Sequence, residues 1–135
     1  MKHRGLIALL FVVAALYDGL IGLAFLAAGP TLFDRANVTP PNHWGYVQFP
    51  AALLIVFSLM FLAVAVRPQR NRNLIPYGIL LKVAYSSVVF YYWAVDQVPM
   101  MWKPFAVADV VFLVLFLWAY AVTGDKGGTQ TAAGS

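Results

Sequence analysis

The chain contains no cysteine, and all five of its acidic residues are aspartates. Without cysteine there is no disulfide, no thiolate metal site and no thiol nucleophile. Its two histidines, His3 and His43, lie outside the long apolar runs. No helix-borne imidazole is therefore on hand to ligate haem or a di-metal centre inside a membrane. Charge is scarce as well: 10% of residues are charged and 62% are hydrophobic, with a mean hydropathy of +0.78. A soluble domain carries roughly 25% charged residues, so this chain lacks the polar surface to face water on every side. No nucleotide-binding loop, nucleophile elbow or metalloprotease motif is present. A non-enzymatic protein without metal or cofactor is the expectation.

What is present is four apolar runs in 135 residues, a length that suits one domain. Leu6–Ala28 is the first, 23 residues broken only by Asp18. A membrane helix needs ~20 apolar residues, so this run can span. A cleaved signal peptide is the rival reading, with Lys2 and Arg4 ahead of Leu6–Leu16 and Val13-Ala14-Ala15 as the site; the run continues well past it. Gly29-Pro30 is expected to end this helix. Residues 31–46 form the longest loop, closed by the interfacial aromatics Trp44 and Tyr46. The second span is Val47–Val66, with Pro50 expected in its first turn. A basic connector, 67–73, leads to the third span, Leu74–Val95. Pro104 opens the fourth, Phe105–Val122, and residues 123–135 are small and polar, as in a flexible tail. The expected fold is an all-α, integral-membrane four-helix bundle.

The net charge of +4 sits at the ends of the runs, which points to membrane orientation and not to nucleic acid. Lys2, Arg4, Arg67, Arg70, Arg72 and Lys126 fall on one side, and only Arg35 and Lys103 on the other. Cytoplasmic positions hold the excess of basic residues, so both termini are expected in the cytoplasm of an inner membrane, with the 31–46 loop outside.

Three charges lie within the runs: Asp18, Lys82 and Asp109. A lysine at that depth in hydrocarbon costs roughly 2.5–3.5 kcal/mol on insertion scales, so Lys82 needs a partner or an escape route. At the helical rise of ~1.5 Å per residue, Lys82 lies about 12 Å from its cytoplasmic end, Asp18 about 18 Å and Asp109 about 21 Å. A lysine stem reaches several Å along its helix, so the three can converge if their faces point inward. Ala14, Asp18 and Gly22 form a small-residue stripe that would let another helix approach closely. Tyr85 and Ser86 follow Lys82 by three and four residues, and Tyr17 precedes Asp18, so these three hydroxyls are the nearest candidate donors. Two aspartates and one lysine leave one negative charge unless a carboxyl holds a proton. The cluster is either a knot that fixes helix pairing or a proton- or ligand-binding site. In the outer loop, Asn42, His43, Trp44 and Gln48 could line a mouth. Phe90-Tyr91-Tyr92-Trp93, joined by Trp102 and Phe105, is an interfacial belt, or a surface on which a flat apolar ligand could stack; for a lipid-like ligand the Tyr85–Trp93 aromatics would be the walls.

Tyr17-Asp18 with Gly22, Pro41-Asn42 with Trp44, Lys82 in mid-helix and Asp109 early in the last span resemble small four-helix bacterial inner-membrane proteins of uncharacterised function, loosely grouped with the DoxX-like proteins. The resemblance covers residues 6–122. It departs from DoxX itself at Ala28-Gly29-Pro30-Thr31-Leu32, which lacks that family's lysine, and in a second span without an acid. It implies a bacterial membrane protein and does not carry over the redox-homeostasis role of DoxX. Three functions fit these residues. One is an accessory or assembly component that packs against itself or a partner. Another is a proton-linked carrier or channel for a small solute. The last is a binder of a lipid-like ligand between the helices.

Overall fold

The computed structural model describes residues 3–134, with side chains described through Gly124. Four helices run through it: α1, Arg4–Arg35; α2, Gly45–Val66; α3, Ile75–Val95; and α4, Lys103–Gly134. Short 3₁₀ turns at Arg72–Leu74 and Met100–Trp102 lead into α3 and α4. All four helices are long and apolar enough to cross a membrane, and the chain is a multi-pass, all-α bundle. The burial pattern suits lipid. Leu6, Leu16, Leu20, Leu59, Leu80 and Val114 each expose more than half of their surface. A helix can do this in hydrocarbon because its backbone hydrogen bonds are already made internally.

The helices pair as two hairpins, α1 with α2 and α3 with α4, and the hairpins face each other across a looser seam. Close pairing within the first hairpin rests on small residues. A Cβ built on Gly22 would stand 2.6 Å from the Ala51 carbonyl oxygen of α2, and one on Gly19 would stand 2.8 Å from Ser58 Oγ. Ser58 donates across the same contact to the Ala15 carbonyl, at 2.7 Å. The seam is filled differently, by large rings. At the end holding the start of α1, Phe11 stacks on Phe116 at 4.7 Å and both meet Phe61. All three are fully buried, as is Ile7. The first apolar run is thus part of the core. At the same end Arg72 donates to the Tyr120 carbonyl and lies 3.6 Å over its ring.

Three boundaries differ from those the sequence suggests. Helix α1 does not end at Gly29-Pro30. It kinks at Ala28 (φ −134°, ψ 27°) and continues to Arg35. Proline is tolerated just past the kink because its missing N–H falls where the hydrogen-bond ladder is already interrupted. The true stop is Asn37, at φ 56°. Its N–H donates to the Asp34 carbonyl and that of Val38 to the Phe33 carbonyl. Those two bonds define a Schellman ending, with asparagine in the left-handed position usually taken by glycine. Helix α2 likewise begins at Gly45, so Pro50 is its sixth residue and not in the first turn. It removes the bond that would reach the Tyr46 carbonyl. At the other end of the chain, Thr123, expected to open a flexible tail, is helical, fully buried and bonded to the Ala119 carbonyl. Lys2 falls outside the described residues; from Asp125 on, Lys126 included, the backbone continues α4 to Gly134 and the side chains are outside what is described.

Candidate functional site

Lys82 is fully buried in the middle of α3, and its ammonium lies between two aspartates. Nζ donates to Asp18 Oδ1 at 3.0 Å and Oδ2 at 2.9 Å, and to Asp109 Oδ1 at 3.1 Å. An ammonium has three N–H groups, and here each has an acceptor. Asp18 is 2% exposed and Asp109 6%. Three of the four helices are thereby tied through one nitrogen, and the hairpins are joined across their seam. The rings of Phe112, Tyr17 and Phe61 lie 5.0, 5.5 and 5.8 Å from Nζ and add cation–π attraction.

Local sequence places each group. Asp18 belongs to the Ala14–Gly22 stripe that α2 approaches, so the helix cannot turn that carboxylate to lipid without losing the Gly22–Ala51 contact. Gly78, one turn before Lys82, makes room for the Phe61 ring, which a Cβ there would approach to 2.7 Å. Asp109 lies one turn after Phe105 and shares its inward face.

The neighbouring hydroxyls divide. Ser86 Oγ donates to the Lys82 carbonyl at 2.5 Å, so it is spent on its own helix. Tyr85 donates to the Trp102 carbonyl at 3.1 Å and pins α3 to the start of α4. The Tyr17 hydroxyl is buried and has no hydrogen-bond partner among the described residues. The outer-loop candidates lie elsewhere. His43 Nδ1 accepts from the Gly45 N–H at 2.9 Å, and Asn42, His43 and Gln48 are exposed. Trp44 packs edge-on against Phe33 and over Gly29.

A cavity of about 480 Å³ adjoins the cluster, between the two hairpins. Asp18, Asp109, Tyr17 and Tyr85 line it, and Tyr46, Val47 and Pro50 line the end near the start of α2. Its remaining walls are apolar, with Phe25, Phe57, Trp102 and Phe105 the largest. Trp102 and Phe105 belong to the expected aromatic cluster, whereas Phe25 and Phe57 replace the wall expected on α3. Of Tyr85–Trp93 only Tyr85 and Val89 line the cavity. Phe90–Trp93 stack among themselves and face outward, as a belt does. Phe25 escaped the sequence reading, although it lies seven residues after Asp18 and one turn after Ile21. Extending the Asp18 stripe by one more turn finds it.

No family model, curated protein or solved structure matches this chain. Among the described residues no group of three or more histidine, cysteine or acidic side chains could hold a metal ion. The site therefore stands on its own geometry: a buried ion triad bordering an apolar cavity within a membrane-spanning bundle.

Proposed function

We propose that this protein is a non-enzymatic component of a bacterial inner membrane that holds a lipid-like ligand between its two helical hairpins. One observation carries the reading. A cavity of about 480 Å³ lies in the seam, its walls are mostly apolar, and its polar side chains are few: Tyr17, Asp18, Tyr85 and Asp109 about the triad and Tyr46 at the end near the start of α2. That is the usual make-up of a small-molecule site, where apolar walls supply affinity and a few polar groups fix orientation. Transport of a polar solute is less well supported, because the cavity walls are apolar apart from those few side chains. The triad serves the same reading as a clamp that keeps the hairpins together while the seam stays partly open. The likeness to DoxX-like proteins in Tyr17-Asp18, Lys82 and Asp109 supports the cellular setting.

Protein purified in a mild detergent is expected to carry one apolar adduct per chain in native mass spectrometry. Leu53→Trp adds bulk at a cavity-lining residue whose side chain is 39% exposed, so the fold tolerates it. That variant is expected to lose most of the adduct, because the added ring takes space that the ligand needs. Wild-type protein that retains nothing, and takes up nothing from a lipid extract, would remove the reading.

The same proposal places both termini in the cytoplasm, on the distribution of Lys and Arg. The lack of cysteine makes the check clean. In intact cells, a membrane-impermeant maleimide is expected to label His43→Cys and to spare Arg70→Cys until the membrane is broken. The reverse pattern would invert the topology.

A further inference from the structure

With both carboxylates ionised, the triad is one positive charge short. Asp18 and Asp109 bring two carboxylates and Lys82 brings one ammonium. The two aspartates are not equivalent. Both oxygens of Asp18 are taken by Lys82, whereas the ammonium reaches Asp109 only through Oδ1. Asp109 Oδ2 is thus left with uncommitted lone pairs among the described residues, on a side chain that lines the cavity. A second, independent feature lies beside it. The buried hydroxyl of Tyr17, a residue that lines the same cavity, has no partner among the described residues. A buried hydroxyl without a hydrogen bond is costly unless something enters to supply one. The cavity is thus lined by a side chain with an uncommitted carboxylate oxygen, Asp109, and by one whose buried hydroxyl is unpaired among the described residues, Tyr17, beneath walls that include Phe25, Trp102 and Phe105; with both carboxylates ionised it also carries an excess negative charge.

We infer that the ligand is an amphiphilic monocation: an alkyl or aryl-alkyl ammonium whose N–H groups bond Asp109 Oδ2 and the Tyr17 oxygen while its apolar body fills the seam. This rests on the apolar-ligand reading above and adds the head group to it. One added positive charge balances the site, and a charge-assisted bond to a buried carboxylate is stronger than a neutral one. Aromatic walls suit a cation as well as an apolar chain. A carboxylate or phosphate head is disfavoured, because it would meet the negative edge of the triad. A neutral alcohol of the same shape could fill the walls and satisfy Tyr17, but it would leave the charge unbalanced. The cavity accepts a body of this size: sites for small ligands run from about 300 to 1,000 Å³.

The test uses two probes that differ only at the head, 6-phenylhexylamine and 6-phenylhexanol. Each is titrated calorimetrically into the detergent-solubilised full-length protein, with empty micelles as the blank. The amine is expected to bind at least tenfold tighter than the alcohol. Asp109→Asn keeps the shape of the side chain and leaves the two-oxygen Asp18–Lys82 pair intact, so the bundle has its main clamp. In that variant the preference for the amine is expected to vanish while the alcohol binds as before. Tyr17→Phe, which removes only the hydroxyl, is expected to weaken both probes by a similar small factor. Equal binding of amine and alcohol to the wild type would overturn the cationic head and leave the apolar site standing. A preference for the amine that survives in Asp109→Asn would overturn the assignment to Asp109. Failure of both probes to bind would overturn the head-group proposal together with the reading beneath it.

Discussion

Lys82→Met is expected to destabilise the bundle by about 3–5 kcal/mol, the usual cost of removing one partner from a buried ion pair. Methionine matches the length of the lysine stem, so little of the loss comes from a void. The loss comes from what remains. Asp18 and Asp109 both lie within hydrogen-bond reach of the one nitrogen. Without it, two carboxylates face each other in a site that water does not solvate. The hairpins also lose their shared tie across the seam. The distinguishing result is the rescue. Lys82→Met combined with Asp18→Asn is expected to melt above Lys82→Met alone, and adding Asp109→Asn is expected to recover most of the rest. Neutral amides leave nothing to repel, and a buried triad replaced by neutral groups is often tolerated. Thermal melts of the series in one detergent measure this. Losses that simply add from variant to variant would show that the three side chains do not act as a unit.

Gly22→Ala is expected to lower stability by about 1–3 kcal/mol, against the helix preference of the residues themselves. In an open helix the same change stabilises by up to about 1 kcal/mol, because alanine is the better helix former. Here the new Cβ would lie 2.6 Å from the Ala51 carbonyl oxygen and 3.0 Å from Ile55 Cγ1. A backbone oxygen cannot rotate away, so α1 and α2 must separate, and Asp18 one turn back moves with α1. Gly5 supplies the control. It lies in the same helix, and nothing approaches within 4 Å of a Cβ built there. Gly5→Ala is expected to melt at or slightly above the wild type. If Gly22→Ala did the same, the close approach of α1 and α2 at this point would be wrong.

Much of the candidate site was legible in the chain before any helix was packed. A lysine and two aspartates in apolar runs must find one another or water, and Asp18, Lys82 and Asp109 lie at compatible depths. The stripe Ala14–Asp18–Gly22 marked a face turned to other helices: Gly22 meets α2 and Asp18 meets Lys82 of α3. Other features were not legible. Gly29-Pro30 has the form of a helix stop, but the chain on both sides of it packs. Phe33 lies against Phe25, Trp44 and Trp102, and these contacts hold the helix together past the kink. Asn37 ends the helix by backbone geometry that many asparagines never adopt. Thr123 reads as tail because it is polar and glycine follows. It is buried because its hydroxyl bonds within its own helix and needs no other partner.

Sequence by itself determined the class of this protein and the residues at its centre. Run length and apolarity are local properties, and the high cost of a charge in hydrocarbon forces Lys82 inward whatever its neighbours do. Tertiary structure alone decided which helices pair, which carboxylate takes two hydrogen bonds from Lys82 and which takes one, and that an apolar cavity opens beside them. The physical reason is rotation. These helices are apolar all round, so no amphipathic stripe sets the angle of each about its own axis. That angle is set by small residues that admit a neighbouring backbone, such as Gly22, and by rings that hold one away, such as Phe61 and Phe116.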